Sequence, residues 1–270
     1  MRHDPAVLLK PVVAIAREAG ARILEIYKGE FEVTAKADDS PLTAADMASH
    51  RAIMAGLRQL TPEVPILSEE SAEVSFEERA SWDEYWLVDP LDGTKEFIKR
   101  NGEFTVNIAL IQGHQPVLGV VHVPVKDTDY YGAPGTGAFR CVAGGIEEPL
   151  RVQPLKDGPI RVVGSRSHRG ASLDAYLERL GDHQMVPMGS SLKLCLVATG
   201  EADVYPRLGP TCEWDTAAAQ AVVESAGGQV VDTDGAALRY NAKAEYLNPF
   251  FIVFGDTSRD WTTYVERHDA

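Results

Sequence analysis

Leu8, Val12, Ile15, Ala19, Ile23, Ile26 and Tyr27 recur at helical spacing, with Asp4-Pro5 ahead of them as an N-cap and first-turn proline and Gly29 behind. This pattern predicts a first amphipathic helix. Thr43-Ala44-Ala45-Asp46 reads as a capping box opening a second helix, whose apolar side is Ile53, Leu57 and Leu60 and whose stop is Thr61-Pro62. β-like runs follow at 64–67, 84–88, 104–111 and 117–125, with Gly113 at the turn between the last two, and at 130–132 and 137–141.

From Glu147 to Gly158 the chain is rich in proline and charge and reads as a connection. Beyond it the rhythm changes to α/β alternation: strand 160–164, helix 171–180, a short strand, and a helix near 190–199. A strand at 202–205, a helix at 214–226 ended by Gly227-Gly228, and strands at 229–232 and 250–254 complete the pattern. A domain boundary is therefore expected near residue 155, dividing the chain into 1–155 and 156–270. No repeat or low-complexity segment is visible, which sets aside solenoids and propellers.

The chain has 270 residues, 44% of them apolar, enough for a sizeable core and against disorder. Its formal charge of −14 argues against nucleic acid or an anionic membrane as the main partner. An anionic substrate would need cations or backbone dipoles to reverse that field locally. The three cysteines, Cys141, Cys195 and Cys212, show no Cys-x-x-Cys spacing and read as free thiols of a reducing compartment. With no signal-peptide stretch at the start and no run of about 18 apolar residues, the expectation is a cytoplasmic protein without an integral membrane segment.

Trp86-Leu87-Val88-Asp89-Pro90-Leu91-Asp92-Gly93-Thr94 carries the most chemistry, because an apolar strand runs directly into two aspartates three positions apart. Hard divalent cations take oxygen ligands, so this strand end can hold a metal, with Gly93 and Thr94 offering backbone N–H groups to a phosphate. The same residues could instead form an Asx turn and a helix N-cap. Ser68-Glu69-Glu70 places another acidic pair at a strand end, or an exposed acidic loop. Asp215, opening the helix after Glu213-Trp214, suits an N-terminal cap or a further oxygen ligand, and Asp46 has the same two readings. The seven histidines show no metal-binding spacing, and no Gly-x-Ser-x-Gly elbow, P-loop or dinucleotide fingerprint is present.

Glu69-Glu70, Asp89-Pro90-Leu91-Asp92-Gly93-Thr94 and Trp214-Asp215-Thr216-Ala217-Ala218 together resemble the inositol monophosphatase superfamily of Mg2+-dependent, lithium-sensitive phosphatases. The similarity extends over essentially the whole chain, from the Lys36 to Asp46 segment to Gly227-Gly228. It implies the layered αβαβα sandwich (α+β or α/β) of that sugar phosphatase type. Asp92 to Phe97, Gly164 to His168, Ser190 to Lys193 and Tyr205 to Thr211 resemble the CysQ-type 3'(2'),5'-bisphosphate nucleotidases, which release the 3'-phosphate of adenosine 3',5'-bisphosphate to give AMP and serve sulfate assimilation. Inositol monophosphatases usually carry Thr-Asn-Phe where this chain has Lys95-Glu96-Phe97.

The resemblance implies that Glu69, Asp89, the Leu91 carbonyl, Asp92 and Asp215 hold two or three Mg2+ ions, Asp89 bridging. It makes Glu69, Thr94 and Asp46 the catalytic set that orients the attacking water. The substrate-contacting residues it implies are Glu69, Leu91, Asp92, Gly93, Thr94, Asp215, Ser165, Arg166, Ser191 and Lys193. Among them Lys193 and Arg166, with Arg207 or Lys95, are candidates for a second phosphate, the alternative being ordinary ion pairing. The partner implied is a small phosphorylated nucleotide. The runner-up activity is an inositol or sugar monophosphatase, and a non-catalytic metal and nucleotide sensor is the alternative of a different class. The CysQ type is associated with the cytoplasmic face of the inner membrane, for which a charge of −14 offers no electrostatic reason.

Overall fold

The computed structural model describes residues 2–30, 33–35, 41–164 and 170–266. Helix α1 (Pro5–Tyr27) starts as expected, with Asp4 accepting the Ala6 amide at 2.9 Å and Pro5 in the first turn. A short antiparallel pair, β1 (Val33–Ala35) and β2 (Pro41–Thr43), leads into α2 (Ala44–Leu60), where Thr43 and Asp46 form the expected capping box.

The chain then builds β3 (Ile66–Ser68), α3 (Phe76–Arg79), β4 (Glu84–Asp92), α4 (Thr94–Ile98), β5 (Thr105–Gln112), β6 (Gln115–Val123), β7 (Thr128–Ala133), β8 (Gly137–Val142) and β9 (Glu147–Leu150). These strands lie in chain order across a seven-stranded sheet, antiparallel except for the β3–β4 pair. Two details differ from expectation. The segment read as a connection opens with β9, an edge strand: Pro149, which cannot donate to a ladder, is tolerated because β9 pairs only with β8. β4 also runs on past Val88 to Asp92, its register with β5 breaking between Asp89 and Asp92. That irregularity re-aims the strand's carboxylates.

The second sheet consists of β10 (Ile160–Gly164), β11 (His183–Pro187), β12 (Val204–Arg207), β13 (Gln229–Asp232) and β14 (Phe251–Phe254), in the order β11-β10-β12-β14-β13. β10 runs parallel to β11 and β12, and β14 antiparallel to both its neighbours. Between these strands come α5 (Ala171–Leu180), α6 (Leu192–Ala198) and α7 (Glu213–Ser225).

Five layers result. α1 and α2 cover one face of the larger sheet through Leu9, Val12, Ile23 and Ile53 against Trp86, Val88 and Ile108. On its other face Leu87, Ala109 and Val121 share a core with Ala217, Ala218 and Val222 of α7 and Leu194 of α6. The same core reaches Tyr205, Phe251 and Val253 of the smaller sheet, so α6 and α7 lie between the two sheets. α5 and Trp261 close the outer face against Ile252 and Phe254. Gly119 of β6 is required for this close approach: a Cβ there would collide with the Ala218 carbonyl of α7 and lie 2.9 Å from the Ala221 Cβ. Among the described residues no helix is long and apolar enough to cross a membrane, and Cys141, Cys195 and Cys212 form no disulfide.

Candidate active site

At the end of β4 the Leu91 amide donates to Asp89 Oδ1 at 3.0 Å, an Asx turn, and the Ser49 hydroxyl of α2 pins the Pro90 carbonyl at 2.6 Å. Gly93 then turns the chain at φ +93°, a conformation costly for any other residue, and α4 starts at Thr94. Asp215 sits in the first turn of α7, where its Oδ2 accepts the Cys212 amide at 2.8 Å. The structural and the metal-binding readings of these aspartates are thus compatible. One carboxylate oxygen from each of Asp89, Asp92 and Asp215 lies within 4.8 Å of the others. Glu69, in the 3-10 turn after β3, hydrogen-bonds to Asp89.

The electrostatics of the cluster follow from its burial. Asp89 is held well above the usual carboxylate range by burial first, and then by the charges of Glu69, Asp92 and Asp215. Asp215 is pushed up to about 8 by burial and by Asp92, against the Cys212 amide and Arg207. Asp92 is raised by burial, while Lys193, hydrogen bonds from Ser191 and Thr105, and the nearby Asn107 side chain oppose the shift. These carboxylates cannot all ionise together without a counter-charge at the cluster. An all-oxygen donor set suits a hard cation, so the residues present fit a divalent metal ion.

Of the three residues expected to orient water, Thr94 and Asp46 meet directly. The Thr94 hydroxyl lies 3.3 Å from Asp46 Oδ1 and 3.4 Å from the Leu91 carbonyl. Asp46 Oδ2 is committed to the Thr43 amide and hydroxyl, at 2.8 and 2.6 Å.

A cleft of about 560 Å3 opens beside Asp92 and Asp215, walled by Gly93, Lys95, Lys193, Tyr205 and Arg207. Lys193 lies 5.8 Å from the Tyr205 ring centroid, and burial lowers its pKa while Asp92 acts the other way. Ser191 lines the same cleft: its amide donates to Asp92, and its hydroxyl lies 2.9 Å from both Thr105 Oγ1 and Asn107 Oδ1. Ser165 and Arg166, with the rest of 165–169, lie outside the described residues. Thr105 and Asn107 were not anticipated. The signal available was two polar side chains at i and i+2, on one face of an otherwise apolar strand.

The pattern that describes the inositol monophosphatase family matches residues 4–253. The 3'(2'),5'-bisphosphate nucleotidase CysQ of Escherichia coli K12 is 52% identical over 249 residues, covering 91% of this chain and 99% of the relative. That of Salmonella typhimurium is 51% identical with the same coverage. The crystal structure of CysQ from Bacteroides thetaiotaomicron, described as a bacterial member of the inositol monophosphatase family, is 42% identical with a TM-score of 0.83 and covers 95% of this chain and 99% of its own. On the match across most of its length, and with the acidic cluster these layers assemble, the chain belongs to the inositol monophosphatase family, whose enzymes depend on metal ions.

Proposed function

We propose that the chain is a 3'(2'),5'-bisphosphate nucleotidase that hydrolyses the 3'-phosphate of adenosine 3',5'-bisphosphate to AMP and phosphate, a reaction that would serve sulfate assimilation. The observation that carries this reading is the pairing of the Asp89, Asp92 and Asp215 cluster with a cleft wall bearing Lys95, Lys193 and Arg207. One phosphate can approach the carboxylates through bound cations, and a second negative group meets cationic side chains. The bisphosphate nucleotidases at 51–52% identity support the same assignment.

Glu69, Asp89, the Leu91 carbonyl, Asp92 and Asp215 would hold two or three Mg2+ ions. When bound, the ions supply positive charge that keeps the carboxylates ionised, favours a hydroxide-like nucleophile and offsets charge on the departing ribose oxygen. The protein's own groups do the positioning. Glu69 and the Thr94 hydroxyl orient the attacking water, and Asp46, 3.3 Å from that hydroxyl, fixes its direction. The amides of Gly93 and Thr94, at the start of α4, hold the phosphate oxygens. Lys193, with Lys95 or Arg207, takes the 5'-phosphate.

In this reading residues 1–155 supply Glu69, Asp89 and Asp92, and 156–270 complete the cleft with Asp215 and Lys193. We place the reaction in the cytoplasm, which three cysteines outside any disulfide support.

Phosphate release by the purified protein with Mg2+ tests this, with adenosine 3',5'-bisphosphate and inositol 1-phosphate side by side and lithium and metal-free controls. Lithium-sensitive release from the nucleotide alone is expected. Preference for inositol 1-phosphate would replace the substrate assignment, and tight binding with no release from either would make the protein a sensor.

A further inference from the structure

Asp92 is held from both halves of the chain. The Ser191 amide, at the start of α6, donates to Asp92 Oδ2, and Thr105 Oγ1 of β5 lies 3.4 Å from the same oxygen. Behind them the Ser191 hydroxyl lies 2.9 Å from both Thr105 Oγ1 and Asn107 Oδ1. Asn107 Nδ2 is buried with no partner at hydrogen-bond distance, yet it faces Asp92 closely enough to favour the charged carboxylate. Thr105, Asn107 and Ser191 are 0%, 1% and 2% exposed, so these contacts are made out of water's reach.

The backbone before α6 is shaped for this grip. Ser190 takes φ +48°, in the left-handed region that side-chain-bearing residues rarely adopt. On either side of it the Gly189 amide donates to Glu103 Oε2 at 2.8 Å and the Ser191 amide to Asp92, so consecutive turns of one loop grasp two carboxylates of the other half. Lys193 follows two residues later and lines the cleft.

We infer that Ser191, Thr105 and Asn107 are positioning residues for Asp92: they commit its Oδ2 to the protein and leave Oδ1 for a divalent cation. Ser191 thereby acts on the metal site and not as a substrate contact. This rests on the reading of Asp92 as a Mg2+ ligand. Groups that orient a metal ligand from behind change metal affinity about 10- to 100-fold when removed.

The test is calorimetric titration of the metal-free full-length protein with Mg2+, without substrate, for wild type, Ser191→Ala, Thr105→Val and Thr105→Ser, followed by steady-state kinetics at saturating Mg2+. Thr105→Val should weaken Mg2+ binding about tenfold or more, and Ser191→Ala, which keeps the amide on Asp92 and removes only the hydroxyl behind it, should weaken it severalfold. The nucleotide KM at saturating Mg2+ should stay near wild type, the metal-free melting temperature should fall because a buried partner loses its hydrogen bond, and Thr105→Ser, which keeps the hydroxyl, should recover Mg2+ affinity. Ser191→Ala that binds Mg2+ as wild type does, or that raises the nucleotide KM with Mg2+ binding intact, overturns the positioning role alone. Equal losses in Thr105→Val and Thr105→Ser also overturn it, because packing would then be the cause. If Thr105→Val does not fold, Ser191→Ala decides. Wild-type protein that takes up no Mg2+ overturns the metal reading and the positioning role with it.

Discussion

The Thr94 hydroxyl lies 3.3 Å from Oδ1 of Asp46, the same carboxylate whose Oδ2 closes the capping box on Thr43. One side chain therefore fastens helix α2 and orients a hydroxyl at the start of α4. Asp46→Asn keeps a single acceptor oxygen and cannot serve both partners. Urea unfolding should show a loss of about 1 kcal/mol, and kcat should fall at least about tenfold with the nucleotide KM little changed. Full activity would remove Asp46 from the water-orienting set.

Asp89→Asn keeps an oxygen for the Leu91 amide and removes a buried charge from a repelling cluster. Turnover should vanish while the metal-free protein melts at or above the wild-type temperature. Mg2+ should then add far less to the melting temperature than it does for wild type. Retained full activity would exclude a bridging role for Asp89.

A pH series separates the cluster from the rest of the fold. Asp89 and Asp92 are raised, and Asp215 is raised to about 8, chiefly by burial. A carboxyl whose folded pKa exceeds its unfolded value holds its proton more tightly when folded, so its cost appears as pH climbs from about 4 through about 8. Metal-free protein should lose stability across that window. Mg2+ needs the charged forms, so its binding releases protons and strengthens over the same range. Melting curves at several pH values, with and without Mg2+, check both trends, and a pH-independent gain from Mg2+ would contradict the assignment.

Much of this site was legible because its parts are local. Asp89, Pro90, Leu91, Asp92 and Gly93 follow one apolar strand, and the capping box at Thr43 and Asp46 spans four residues. The grip on Asp92 was not, since Asn107 and Ser191 stand 84 positions apart and only the packing of α6 against the larger sheet brings them together. β9 was hidden for a different reason: Glu147, Glu148 and Pro149 are what an edge strand uses to discourage further pairing, and they look like a linker.

Glu213 offers a control outside the acidic cluster. It is 1% exposed, accepts the Asn241 amide at 2.8 Å, and is pushed up to about 7 by burial. Its folded pKa is also raised, so it costs stability as pH rises from about 4.5 through about 7. Glu213→Gln keeps the acceptor and removes that ionisation. In saturating Mg2+ the variant should be more stable than wild type by about 1–3 kcal/mol at pH 8 and close to it at about pH 4. Denaturant unfolding at the two pH values measures this, and a variant weaker at pH 8 would mean that Arg79 stabilises the charged form more than burial opposes it.

The fit of Gly119 against Ala218 bears on how the protein is made. During synthesis the larger sheet emerges well before α7, and until that helix arrives the Leu87, Ala109 and Val121 face lacks its Ala217, Ala218 and Val222 cover. Asp215 travels on the same late helix, so the nascent chain carries Glu69, Asp89 and Asp92 without their fourth carboxylate. The closing of the sheet and the completion of the acidic cluster are then one event, reached when the Ala218 turn settles onto a glycine that has waited for it since mid-chain.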